Sequence, residues 1–218
     1  MLFRSCSVRK ILTVARAIFP FKGYIIGLLD DFIKLCDSFD DIELHIVSFG
    51  EDYEILIDKI NNLPEKVRKK VKLDNGLKME EIRSELKKTY VYIGMGTTIL
   101  DAADEAVPCI VSAHTTMKNE CIDFFHRCPM VISQQSPGQP AYGLLQKILS
   151  VKDEEYKIMK ADTYRAYKDN YDIDIMMQRL IKRCSEISCK ELTAWEISVY
   201  NLLNIMRKVK RRLNRIVK

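Results

Sequence analysis

Several features are missing from this 218-residue chain, and each absence removes a class of protein. There is no C-x-x-C pair among its seven cysteines, an odd number. A disulfide scaffold or zinc ribbon is therefore not expected, and a reducing cytoplasm fits best. Cys121, His126 and Cys128 match no familiar metal-site spacing, so no metal or cofactor is expected. Arg4, Arg9 and Lys10 interrupt the amino-terminal apolar residues, which excludes a secretory h-region. No window approaches the roughly 20 apolar residues of a membrane span. The chain is expected to be soluble, resting at most on a membrane surface. Internal repeats and low-complexity linkers are also missing.

Apolar content of 47% with 30% charged residues is that of a globular protein with a sizeable core. The net charge of +5 is unevenly placed: Arg207–Lys218 holds seven cations and no acid, leaving −2 for the rest. An anionic partner is therefore expected at the tail and not at the body.

Strand-length apolar runs alternate with segments of helical period. Val8–Ala15, Ile42–Phe49, Val71–Leu73, Tyr90–Ile93, Cys109–Ser112 and Met130–Ser133 read as strands. Tyr24–Phe39, Asp52–Leu63, a short basic helix after Pro64, Met79–Lys88, Thr98–Ala106 and Ala141–Leu149 read as helices. This alternation predicts an α/β, Rossmann-like parallel sheet with helices on both faces over residues 1–150. After Ser150 strand signals vanish, and 151–218 is expected to form a helical extension. Its last helix carries an a/d stripe from Leu192 through Trp195, Val199 and Leu202 to Ile216.

Two segments carry candidate chemistry. In Tyr90-Val-Tyr-Ile-Gly-Met-Gly-Thr-Thr-Ile-Leu-Asp101 a strand meets two glycines and a helix start. Gly94 and Gly96 permit close backbone approach, and the N–H groups of the first turn, with the Thr97 and Thr98 hydroxyls, offer an anion site. A dinucleotide fingerprint is incomplete, because Ile99 replaces the third glycine and the next strand ends at Ser112 without an acid. The plainer alternative is that Thr98 is only an N-cap, with Asp101 completing a capping box. After the first strand, Arg16 and Lys22-Gly23 place two cations where α/β sheets bind ligands. The plainer alternative there is a pair of solvated surface charges.

Together, Arg16…Lys22-Gly23 and Gly96-Thr97-Thr98-x-x-Asp101-Ala102-Ala103…Val107-Pro108 resemble the donor-binding half of GT-B glycosyltransferases of the family 4 type, over about residues 8–150. The resemblance implies a nucleoside-diphosphate sugar as ligand, UDP before GDP, in bacterial polysaccharide or glycoconjugate synthesis. Arg16, Lys22, Gly23 and the Gly96–Thr98 turn would hold the diphosphate, and Asp101 the ribose hydroxyls. Leu77, in the Asn75-Gly76-Leu77 turn, would lie against the base. The family usually has glutamate at the Asp101 position, and a second glutamate eight residues earlier where this chain has Ile93. No catalytic base is assigned; His114 is the nearest histidine to the expected cleft.

GT-B enzymes bind the acceptor in a separate amino-terminal domain, for which no room is expected before the first strand. A partner chain or a missing domain would supply it. The alternatives are a non-catalytic or partner-dependent subunit, a truncated remnant, and half of a nucleotide-sugar epimerase. For the tail, the Trp195 end is expected to dock on the domain or mark a partner surface. Arg207–Lys218 is expected at the anionic inner face of a membrane. Aromatics are not interleaved with that cluster, which argues against nucleic acid.

Overall fold

The computed structural model describes residues 8–186, so the Leu192–Ile216 stripe and the Arg207–Lys218 cluster lie outside the described residues. The chain divides into two compact units, Met1–Met176 and Met177–Lys218. The first is built on β1 (Arg9–Arg16), β2 (Ile42–Phe49), β3 (Val71–Asn75), β4 (Val91–Gly94) and β5 (Cys109–His114). These five run parallel in the order β3-β2-β1-β4-β5, so the chain reverses its direction of travel between β1 and β4.

Alternation along each strand sorts side chains between two cores. Ile11, Ala15, Val91, Ile93 and Ile110 face one side. There α1 (Tyr24–Ser38), α2 (Tyr53–Asn61), α3 (Glu65–Arg68) and α6 (Ala141–Ser150) cover the sheet. Leu12, Val47, Tyr92, Cys109 and Val111 face the other, under α4 (Met79–Leu86) and α5 (Thr97–Asp104). In α1, the fully buried Ile25, Leu28, Leu29, Phe32 and Leu35 follow the helical period, which is why this segment becomes the central helix. Helix α7 (Asp153–Tyr171) packs along this unit, with Met159 in the first core and Ala166 and Tyr167 against the second. Tyr156 stacks on Tyr90 at 4.1 Å and donates to its carbonyl at 2.7 Å. Helix α8 (Ile173–Glu186) exposes Ile173, Met176, Met177, Leu180 and Ile181.

The five parallel strands with helices on both faces are the expected Rossmann-like sheet, and antiparallel strands extend it at the β5 edge. Beyond β5 come β6 (Glu120–Phe124), antiparallel to it, and β8 (Gln139–Pro140), antiparallel to β6. Met130–Ser133 is not a strand. Met130 is 74% exposed, and the Ile132 carbonyl accepts the Gly96 N–H at 2.7 Å, sealing the turn after β4. The short pairing falls instead at β7 (Gln134–Gln135), parallel to the end of β5.

Lys10 fastens α4 to the sheet, donating to Glu85 at 2.8 Å. That bond lowers the Glu85 pKa against the opposing effect of burial, with Lys10, His45 and Lys88 adding attraction. A carboxylate depressed on folding contributes stability above its unfolded value of about 4.5 and loses it as pH falls through the folded value. The Tm difference between wild type and Glu85→Gln should therefore be full near neutrality and shrink below about pH 4.5. A difference constant from pH 7 to pH 3 would show that the charge is not what holds α4.

Candidate functional site

Strand β1 is followed by α1 on one face and β4 by α5 on the other, which opens a crevice at their carboxyl ends. Open α/β sheets bind ligands at such a point of reversal. The parallel β1–β4 register pairs Ile11 with Val91 and Leu12 with Tyr92. The two sequence signals thus follow neighbouring parallel strands, at the same end of the sheet.

Arg16 is exposed at the end of β1, with its guanidinium 5.3 Å from the centre of the Phe49 ring. Among the described residues no carboxylate forms an ion pair with Arg16 or Lys22. Lys22 is half-buried, and burial followed by the nearby Arg16 guanidinium lowers its pKa. Two cations held close together without a counter-charge form a site that an anion would relieve. The turn between them is tightly specified: the Lys22 N–H bonds the Ile18 carbonyl at 2.8 Å, and Asp52 accepts the Phe19 N–H at 2.6 Å. Gly50, at φ 130°, lets that neighbouring loop approach the Arg16 stem and the Ala17 carbonyl.

The second limb is Gly94–Asp101. Gly96 is the N-cap of α5 at φ 77°, ψ −153°, a conformation essentially reserved for glycine. A Cβ there would meet nothing within 4 Å, so the space before it is open. Among the described residues neither the Thr97 nor the Thr98 N–H has an acceptor, as expected for the exposed donors of a helix start.

The capping-box reading fails, because Gly96 is the cap and no side chain caps it. Thr98 lies inside the first turn and turns inward. Its hydroxyl accepts from the buried Tyr92 at 2.6 Å and donates to the Met95 carbonyl at 3.3 Å. It braces the turn, leaving the exposed Thr97 as the hydroxyl nearer solvent. Asp101, half-buried one turn later, has its pKa raised by burial, with Arg83 opposing and Asp104 adding to the shift. Leu77 packs at the edge of the second core, just after Gly76 at φ 70°.

Gly23 does something sequence reading did not anticipate. A Cβ on Gly23 would meet Met117 Sδ at 2.5 Å, and one on Gly27 the Lys118 carbonyl carbon at 2.5 Å. The 115–119 loop therefore lies directly on this face of α1. It is pinned there by the Thr115 N–H to Phe21 carbonyl bond at 2.9 Å and by buried Asn119 on Asp31 at 3.0 Å. His114 begins the loop, its ring 5.0 Å from Phe21. The Gly23-x-x-x-Gly27 spacing on one helix face was the signal that could have revealed this close approach.

Cys121, buried on β6, and Cys128 have thiol pKa values raised by burial to about 12 and about 11. His126 stacks on Phe124 at 5.6 Å. Among the described residues no three His, Cys, Asp or Glu side chains are grouped to hold a metal, and no helix is long and apolar enough to cross a membrane.

No protein-family model and no curated sequence matches the chain. Solved structures do. The N-terminal domain of trehalose-6-phosphate phosphatase from Candida albicans aligns with a TM-score of 0.59 at 14% identity, over 83% of this chain and 42% of that one. HepE of Anabaena, solved with UDP and glucose, aligns with a TM-score of 0.58 at 13% identity, over 84% and 49%. The UDP-forming α,α-trehalose-phosphate synthase from Burkholderia vietnamiensis aligns with a TM-score of 0.59 at 9% identity, over 82% and 45%. The fold is one half of a GT-B fold. The chain spans less than half the length of each of these structures.

Proposed function

We propose that this chain is the donor-binding half of a GT-B glycosyltransferase and holds a nucleoside-diphosphate sugar between β1 and β4. The observation that supports the reading is that Arg16 and Lys22 follow β1, while the unpartnered N–H groups that begin α5 follow the neighbouring β4, at the point of strand reversal. In this reading the Arg16 fork and the Lys22 point charge take the diphosphate oxygens, and the helix start adds fixed dipoles. Charge developing on the leaving diphosphate would be neutralised by the same groups. Asp101 would accept from the ribose hydroxyls, and Leu77 would lie along the base. The acceptor would come from a second half, supplied by another domain or chain. UDP is the first choice of nucleotide, and a saccharide of a glycoconjugate the class of product.

Calorimetric titration of the full chain with UDP, GDP and their sugars tests this. Binding should weaken at least tenfold in Arg16→Ala; binding indifferent to that change would move the site elsewhere. A pH series adds a second check. Anion binding favours the charged lysine, whose pKa in the free chain lies below 10.5. Affinity should thus fall as pH rises from neutrality toward that value, and fall less in Lys22→Arg. A flat profile in both proteins would remove Lys22 from the ligand.

A further inference from the structure

We infer that the opposite, amino-terminal edge of the sheet carries a second anion site, a lysine-lined cavity that takes the phosphate group of a phosphorylated ligand. The cavity, of about 250 Å³, lies among the first residues of β1, β2 and β3 and the end of α4. Lys10, Lys69, Lys70, Lys72 and Lys88 line it, against the carboxylates of Glu43 and Glu85. Its floor includes His45, which is 1% exposed and held by Asp74 at 2.8 Å.

The charges do not cancel within it. Lys10 lies 2.8 Å from Glu85 and 3.6 Å from Glu43, and so neutralises one carboxylate while sharing the other. Lys72 is occupied by Asp74 at 2.7 Å. The remaining three lysines are weakly engaged. Lys69 pairs with Glu65 at 2.7 Å in an exposed i,i+4 arrangement of the kind that contributes little. Lys70 donates to the Asp40 main-chain carbonyl at 2.8 Å, and its ammonium lies 4.0 Å from the exposed Asp40 carboxylate. Lys88 lies 3.6 Å from the Glu85 oxygen that Lys10 does not use.

In this concave surface cations outnumber anions, five lysines to the carboxylates of Glu43 and Glu85, and such an excess draws in counter-ions. Ammonium groups on flexible stems suit a compact charge such as phosphate. The volume is below the roughly 300–1,000 Å³ of pockets that enclose a whole small-molecule ligand. It therefore suits a phosphate group with a short ester, not a nucleotide-sugar. Lys69, Lys70, Val71 and Lys72, where the short basic helix after Pro64 gives way to β3, form one wall of this cavity.

The phosphate could belong to a free metabolite or to a phospholipid headgroup, and two experimental arms separate these. The full chain carrying Arg16→Ala and Lys22→Ala, which disables the site between β1 and β4, is titrated with inorganic pyrophosphate at low salt. Binding should persist and weaken at least tenfold when Lys69→Ala and Lys88→Ala are added; both side chains are more than 60% exposed, so the fold and Tm should hold. In the second arm the same proteins are sedimented with phosphatidylglycerol or phosphatidylcholine vesicles. Lysine-dependent recovery on the anionic vesicles assigns the site to a headgroup, and pyrophosphate binding without it assigns a free ester. Absent pyrophosphate binding, or binding indifferent to Lys69 and Lys88 as capture by the basic tail would be, overturns the proposal.

Discussion

Gly27→Ala should be among the most damaging single-methyl additions to this chain, while the same change at Gly143 should stabilise it. Both glycines lie inside α-helices, where alanine is ordinarily preferred by about 0.5–1 kcal/mol. At Gly143 nothing lies within 4 Å of the new Cβ, so that preference is realised. At Gly27 the Cβ is driven into main chain, with Lys118 Cα at 2.8 Å and the Asn119 nitrogen closer still. Backbone cannot rotate aside as a side chain can, so the loop must lift. Lifting it separates the buried Asn119 from Asp31, now 3.0 Å apart, and leaves a carboxylate short of a partner. Overpacking of this kind typically costs about 1–3 kcal/mol, and a lost buried hydrogen bond about another 1–3 kcal/mol. Urea denaturation of the two variants should show midpoints displaced in opposite directions. The lifted loop also releases Phe21, next to Lys22, so nucleotide affinity should fall in Gly27→Ala and stay unchanged in Gly143→Ala. Equal midpoints for the two would mean that the loop does not bear on α1.

These contrasts indicate what could be read from the chain alone. Helix α1 and strand β2 were legible because their apolar positions follow one period without interruption, as Ile25, Leu28, Leu29 and Phe32 do. Strand β6 was not. Its register against β5 shifts between Ile110 and Ser112, so Cys121 and Phe124 are buried three apart and the two-residue alternation is lost. Met130–Ser133 misled for the opposite reason, since three apolar residues in a row mark a loop that caps the β4 turn. Arg16, Lys22 and Gly96 were visible as residue types suited to anions, yet only the sheet order shows that the strands they follow are neighbours. Thr98 shows the limit of motif reading. A hydroxyl in the right place by sequence is turned inward by Tyr92, a partner six residues earlier that the pattern treats only as strand. The lysine cavity drew on four separated segments, and its Lys69-Lys70 run by itself is indistinguishable from a solvated face.

The other large effect is expected at Gly96, where shape and space make separate demands. Alanine there meets no atom within 4 Å, so no clash arises. What alanine cannot hold is φ 77° with ψ −153°, and such a conformation in a non-glycine residue costs on the order of 1–3 kcal/mol. The chain can escape most of this by rotating the peptide planes on either side of residue 96. That rotation breaks the 2.7 Å bond from the Gly96 N–H to the Ile132 carbonyl, or turns the Thr97 N–H away from the crevice. Stability should thus fall modestly, by about 1–3 kcal/mol, while nucleotide-diphosphate affinity falls at least tenfold. Thr97→Val separates the backbone from the side chain: it removes the exposed hydroxyl and keeps the N–H. If main-chain donors hold the phosphate, Thr97→Val should bind within about threefold of wild type, well short of the tenfold that a lost charge-assisted hydrogen bond would give. Should Gly96→Ala lose stability and keep its full affinity, the start of α5 is a structural turn, and the diphosphate is held by Arg16 and Lys22 without it.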